Sequence, residues 1–256
     1  MKNYFLVLCL LPLFLLSSCK DSSLSDLAKD NQWNQVAIEA KSRIDEKGID
    51  KETLYYYAIA LYYTGQYEEA IHSARIYILM YDNSSPAILK ILLYKASLEE
   101  AYEVGIKLKE EDLLNSSDKI QLFKIITSLG RESEEEEMRR ELEATLSPYN
   151  YCFALLNAKS SSSNLISGLE LLHDHEGIST NFLYVVDKVF NLISTREDRG
   201  AIDSFIENTF DGNAQYALII GDYYYKTNDN EKALSYWQKA SSIYPNAYKT
   251  RLEFFD

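Results

Sequence analysis

The stretch that decides the fold is residues 214–247, which read AQYALIIGDYYYKTNDNEKALSYWQKASSIYPNA. Small and large residues recur at intervals that predict two amphipathic helices joined by a turn: Ala217, Ile220, Gly221, Tyr224, Ala233, Trp237 and Ala240. Gly221 and Ala233 are small where two antiparallel helices would approach closely, whereas Tyr224 and Trp237 are large enough to fill the space between them. Pro245 has no N–H to donate and is predicted to end the second helix. The stretch therefore predicts a helical hairpin.

A second copy of this pattern occupies residues 51–84. The positions that match are Leu54, Tyr57, Ala58, Leu61, Gly65 and Ala70. Both stretches resemble the tetratricopeptide repeat family, whose repeat is about 34 residues long. The resemblance implies a protein that binds protein partners and carries out no chemistry. The copy at 51–84 departs from the pattern at Ala74 and Tyr77, where the large and small positions are exchanged, so we expect altered helix packing there.

Weaker copies fill the rest of the chain. Periodicity and turn residues predict further hairpins that begin near Leu24, Pro86, Ile120, Tyr149 and Asn181. The prediction is an all-α protein, an α-solenoid of about seven antiparallel helical hairpins, and the resemblance implies a right-handed superhelix. Whether repeats 86–210 are regular or divergent stays open. One domain spans 19–256, closed by a short helix in 248–256; two domains divided at the serines of 160–163 are the alternative.

The N-terminus predicts export and lipid anchoring. Residues 1–18 contain an apolar run too short for a spanning helix, which needs about 20 residues. The run closes on Leu16-Ser17-Ser18-Cys19, which resembles a bacterial lipobox. That resemblance implies a lipoprotein signal peptide over 1–18 and acylation of Cys19, on the extracytoplasmic side of a bacterial membrane. The sequence does not distinguish the inner from the outer membrane, and an ordinary secretory signal is the alternative.

Net charge and cysteine content exclude one class of partner and indicate how the protein is stabilised. The formal net charge is −13, which argues against nucleic acid as a partner because binding there depends on neutralising phosphates. With Cys9 in the signal peptide and Cys19 acylated, Cys152 has no partner for a disulfide and is predicted to be an inert core residue. Stability must then come from helix packing.

The resemblance also assigns the residues of a binding groove. In the family, the first helix of each hairpin lines a concave face. The positions transferred to this chain, with Glu52, Gln215 and Lys226 beside them, are Tyr55, Ile59, Tyr62, Tyr63, Leu218, Asp222 and Tyr225. Tyrosine offers a large, rigid contact surface with a polar tip, which suits binding. The basic and amide residues with which some members grip a C-terminal carboxylate are missing, so an apolar or extended partner segment is expected.

No enzymatic motif is present, and we predict a protein that is not an enzyme and has no cofactor and no metal site. His173 and His175 flank Asp174, but residues two apart do not share a helix face, so polar residues at a helix end are the simpler interpretation. Oligomeric state is not predicted.

These features predict a membrane-anchored scaffold that binds protein partners through a groove. A more specific prediction is a role in envelope or outer-membrane protein assembly, because the layout is similar to the lipoprotein that supports the β-barrel assembly machine. The alternative is a periplasmic solute-transport component or a cell-wall enzyme accessory that binds a small ligand or a transporter subunit.

Overall fold

The computed structural model describes residues 23–81, 85–197 and 200–255. These residues form fifteen α-helices and a final 3-10 turn, and no strand occurs among them. Consecutive helices pack as hairpins, which confirms the all-α helical-repeat fold class. The chain divides into two compact units, with the boundary between Leu113 and Leu114. The serines of 160–163 therefore lie inside the second unit.

The first unit contains three hairpins. Its helices are α1 (Leu24–Lys29), α2 (Trp33–Lys47), α3 (Lys51–Tyr63), α4 (Tyr67–Tyr81), α5 (Pro86–Lys95) and α6 (Leu98–Glu110). Each helix contacts the next one along the chain, and the first helices of successive hairpins also contact each other, α1 with α3 and α3 with α5. This pattern of neighbour contacts is typical of a helical-repeat array, in which each repeat buries its apolar face against the next.

The second unit continues the series. Its helices are α7 (Ser116–Ser128), α8 (Glu132–Thr145), α9 (Pro148–Ala158), α10 (Ser162–Glu176), α11 (Thr180–Ile193), α12 (Ala201–Thr209), α13 (Ala214–Lys226), α14 (Asn230–Ala240) and α15 (Pro245–Leu252), followed by a 3-10 turn at Glu253–Phe255. First helices again contact one another, α7 with α9, α9 with α11 and α11 with α13. The ring of Phe205 on α12 lies 6.2 Å from that of Phe190 on α11.

Local sequence signals set the helix ends. Asp50 caps α3, because its carboxylate accepts a hydrogen bond from the backbone N–H of Thr53 at 3.0 Å. Asn115 and Asp118 form a reciprocal capping box at the start of α7. Gly65 adopts φ +81° between α3 and α4, a left-handed conformation that favours glycine. These signals explain why helix positions could be predicted well.

The predicted end of one helix is wrong. Pro245 does not terminate the second helix of the last repeat, since α14 already ends at Ala240 and Pro245 is the first residue of α15. Proline suits the first helical turn because the N–H it lacks would have no partner there. The predicted closing helix is therefore α15, which begins three residues earlier than expected.

Close helix contact depends on a pairing of small and large residues. Gly221 on α13 is buried against Trp237 on α14, and a Cβ atom at Gly221 would overlap the indole ring. Trp237 itself is completely buried. In the copy on α3 and α4, Ala58 and Ala74 are both fully buried, and the large side chain is Tyr77, one turn further along α4. The packing of α3 against α4 therefore differs from that of α13 against α14, as the exchange of large and small residues predicts.

Cys152 belongs to the core, as predicted. Its side chain is 2% exposed, and the Sγ–H donates to the carbonyl oxygen of Gly168 at 2.8 Å. Burial raises the pKa of the thiol to about 12, so the thiol stays protonated at neutral pH.

Residues 1–18 and Cys19 lie outside the described residues, so the predicted signal peptide and acylation stay predictions. Within the part of the chain that is described, none of the helices combines the length and apolar character needed to cross a membrane.

Replacing Gly221 by alanine should destabilise the second unit by about 1–3 kcal/mol, because the new methyl group must displace the Trp237 ring. Urea unfolding followed by far-UV circular dichroism measures this. Gly200→Ala is the matched control, since a Cβ atom there meets no atom within 4 Å. The control should change stability by less than about 0.5 kcal/mol. Equal effects of the two substitutions would contradict this account of the packing.

Candidate functional site

Four residues predicted to face a groove share one side of α3. Tyr55, Ile59, Tyr62 and Tyr63, which we call the α3 strip, recur at the three- and four-residue spacing that places side chains on one helix face. Tyr55, Ile59 and Tyr62 are half-buried, and Tyr63 is 60% exposed. The strip therefore combines fixed side chains with an accessible aromatic edge.

The C-terminal half of the strip borders a pocket between α3 and α5. This tyrosine pocket has a volume of about 300 Å³ and is lined by Ile59, Tyr62, Tyr63, Ala87, Lys90, Ile91 and Tyr94. Apolar and aromatic side chains with a few polar groups are typical of binding sites, and this volume is at the small end for a ligand pocket. Its volume is enough for one or two bulky side chains.

Neighbouring rings hold the tyrosine pocket in shape. The exposed Tyr63 stacks on Trp33 of α2, with ring centroids 4.4 Å apart and planes inclined by 19°. Tyr62 meets Tyr63 edge-on at 5.5 Å and also contacts Tyr67. The ammonium group of Lys95 lies 3.8 Å from the centre of the Tyr67 ring. Rings fixed before binding lose little conformational entropy when a partner arrives.

The N-terminal half of the strip borders a second concavity. This region, which we call the aromatic corner, has a volume of about 410 Å³ and is lined by Lys51, Glu52, Tyr55, Tyr56 and Tyr77. Burial raises the pKa of Tyr77, and the nearby hydroxyl of Tyr55 adds to the shift. Tyr77 is therefore neutral at physiological pH.

The predicted groove positions on α13 have a different environment. Asp222 accepts two hydrogen bonds from the guanidinium of Arg251 on α15, both at 2.6 Å, and one from the indole N–H of Trp237 at 3.0 Å. Tyr225 stacks on Phe254, with centroids 5.3 Å apart. Leu218 packs against the small core of Ala214, Ala217 and Ala240. Asp222 and Tyr225 thus contact the C-terminal segment of the chain itself.

A third concavity in the first unit lies between α4, α5 and α6. It has a volume of about 540 Å³, and its lining residues are Arg75, Ile78, Leu79, Leu89, Leu92, Glu100, Glu103, Val104 and Lys107. Arg75 and Glu100 form an ion pair across its edge, and Leu79 is 85% exposed. This surface lies away from the predicted groove positions and serves as a reference for variants of the strip.

Sequence reasoning missed several residues of the site. Tyr94 lies on α5, which has 10 residues against 13 in α3, so positions could not be transferred from one helix to the other. The sequence pattern marks Tyr77 as a departure from the repeat but does not place it beside Tyr55. Nothing local could have shown the pairing of Arg251 with Asp222, because 29 residues separate them.

No group of three His, Cys, Asp or Glu side chains that could hold a metal ion occurs in the described part of the chain. His173 packs against the ring of Phe182, with centroids 5.3 Å apart.

Comparison with known proteins finds no protein-family model that matches this chain and no similar curated protein. The likeness to tetratricopeptide repeats therefore rests on the residues quoted above.

Removing the guanidinium in Arg251→Ala should destabilise the second unit by about 1–2 kcal/mol, because Asp222 loses its charged partner. Chemical denaturation measures the loss. Lys249→Ala, an exposed change on the same helix, is the control and should be nearly neutral. If both variants unfold at the same urea concentration as the unmodified chain, α15 does not hold Asp222 in the way described.

Proposed function

We propose that this protein is a lipid-anchored scaffold on the extracytoplasmic side of a bacterial membrane, and that it binds a protein partner along the α3 strip. The observation that carries the proposal is the tyrosine pocket. Residues from two successive first helices, α3 and α5, line it together. The shared lining favours a partner that lies across hairpins, as a groove binder would.

The chemistry of the strip favours a protein over a small polar ligand. Tyrosine is enriched where binding energy concentrates in protein interfaces, since its ring buries area and its hydroxyl bonds at the edge. The chain has 21 tyrosines, and three of the four strip residues are tyrosine. We place the site in the first unit because Asp222 and Tyr225 already contact Arg251 and Phe254 in the second.

Anchoring would assist such a site. An acylated Cys19 precedes the first described helix, α1, by only a few residues, so the strip would be held close to the membrane. Tethering raises the effective concentration of partners in the same membrane, so a partner that binds weakly still occupies the site. A function in envelope or outer-membrane protein assembly is the more specific form of this proposal, and it follows from the layout of anchor and repeats.

Site-specific photocrosslinking in native membranes tests the proposal. A benzoylphenylalanine probe in place of the exposed Tyr63 should form defined adducts with a partner protein. Adding Tyr62→Ala should reduce those adducts by about tenfold, because loss of a central aromatic anchor typically weakens binding by that order.

The matched control carries the same probe in place of Leu79, which is at least as accessible as Tyr63 but lies on α4. The yield of adducts at this control position should not change when Tyr62→Ala is added. A Cys19→Ser chain should leave the membrane fraction. Equal yields of adducts at both positions would contradict binding along the strip. A yield at Tyr63 that does not fall when Tyr62→Ala is added would also contradict it.

A further inference from the structure

Two groove positions on α13 are occupied by side chains from the C-terminal end of the chain. The carboxylate of Asp222 accepts hydrogen bonds from Nε and Nη2 of Arg251, both at 2.6 Å. The ring of Phe254 stacks on that of Tyr225, with centroids 5.3 Å apart and planes inclined by 30°. A guanidinium and a carboxylate joined by two parallel hydrogen bonds recognise each other by geometry as well as by charge. The contact is therefore selective for an arginine beside an aromatic ring.

The two halves of this contact have the same spacing. Asp222 and Tyr225 are three residues apart on α13. Arg251, on α15, and Phe254, in the 3-10 turn that follows, are also three residues apart. Side chains three positions apart lie on one side of a helix, so each pair presents both of its groups together. These positions on α13 thus fit a helical segment that carries an arginine and, three residues later, an aromatic residue.

The core beneath α13 holds its half of the contact in place. The indole N–H of Trp237 donates to Oδ1 of Asp222 at 3.0 Å, and Trp237 is completely buried. The ring of Tyr225 also packs against that of Trp237, with centroids 5.7 Å apart. Asp222 and Tyr225 are therefore positioned by a residue of α14, independently of the C-terminal side chains that cover them.

The segment that covers these positions lies at the surface. No residue of α15 is buried, and Phe254 is 51% exposed. The side chains of Arg251 and Asp222 are 21% and 34% exposed, so water reaches their ion pair. Elements with few buried apolar contacts open locally while the rest of the structure stays folded. We therefore expect α15 to leave α13 without unfolding of the hairpin of α13 and α14.

The corresponding positions on α3 border an open concavity. Ile59 and Tyr62 match Asp222 and Tyr225 in the repeat pattern, and both line the tyrosine pocket. The same two positions of the repeat are thus accessible on α3 and covered by the chain itself on α13. Asp222 in place of Ile59 also adds a negative charge, so the two surfaces select different ligands.

We propose that α13 carries a second binding site, which takes a helical segment of a partner protein with an arginine and, three residues later, an aromatic side chain. In the free chain, α15 and the 3-10 turn occupy this site as an internal competitor, and a partner binds only after Arg251 and Phe254 have left. The net charge of −13 favours the approach of a basic segment. The site is separate from the α3 strip and does not depend on it.

Peptide binding to an opened chain tests this site. The opened chain is the full chain with Arg251→Ala and Phe254→Ala, which removes the internal competitor and leaves α13 unchanged. The probes are two alanine-based helical peptides of identical composition, with Arg and Phe three positions apart in one and two positions apart in the other. Fluorescence anisotropy measures each Kd.

The peptide with a spacing of three should bind the opened chain about tenfold more tightly than its isomer, because residues two apart do not share a helix face. Its binding to the unmodified chain should be about tenfold weaker than to the opened chain, since the internal competitor reduces the fraction of open sites. Phe254→Ala alone, which keeps the ion pair, should give an intermediate Kd. Thermal melts establish that each variant is folded.

Asp222→Asn in the opened chain should reduce binding of this peptide to the level of its isomer, because the amide still accepts from Trp237 but has no charge. Glu231→Gln, which removes the same charge from an exposed position in the first turn of α14, is the matched control and should have no effect. Tyr62→Ala on the α3 strip should have none either.

Failure of the peptide with a spacing of three to bind the opened chain would overturn this proposal. Equal binding of the two isomers, or equal binding to the opened and the unmodified chain, would overturn it too. Each of these results would leave the proposed function of the α3 strip intact.

Discussion

The structure depends on one packing constraint, the fit of a large side chain against a small one where two paired helices approach. Gly221 leaves the space that Trp237 fills between α13 and α14. Gly168 on α10 does the same for α9, since a Cβ atom there would lie 2.8 Å from Leu155. Helix pairs held this closely bury apolar surface between them. On α3 they leave one side partly exposed, and the α3 strip lies on that side.

The same constraint explains how the first unit differs from the end of the chain. On α4 the large residue is Tyr77, which is buried with its ring 6.0 Å from that of Tyr55. On α14 the large residue is Trp237, whose indole donates to Asp222. Arg251 and Phe254 then complete a contact with the C-terminal segment. The bulky side chain thus lies one turn further along α4 than along α14. The first unit has a concavity beside it, whereas the end of the chain has a contact with the C-terminal segment.

Much of this could be predicted from sequence because the signals are local. Helix positions follow from caps such as Asp50 and from small residues such as Ala58, and the repeat pattern placed Ile59, Tyr62 and Tyr63 where a pocket is found. The rest depends on contacts distant in sequence. A proline such as Pro245 is compatible with the end of one helix and with the start of the next. The sequence around it does not distinguish the two positions, whereas the fold does. The role of Arg251 and the division after Leu113 have no local signal.

The most direct test of the central claim is hydrogen–deuterium exchange of the full chain with and without the partner protein that is crosslinked through the probe at Tyr63. The account predicts slower exchange in α3 and α5, which line the tyrosine pocket, and unchanged exchange in α13 and α14. Protection that is confined to α13–α15, or that is absent from α3, would contradict the assignment of binding to the α3 strip.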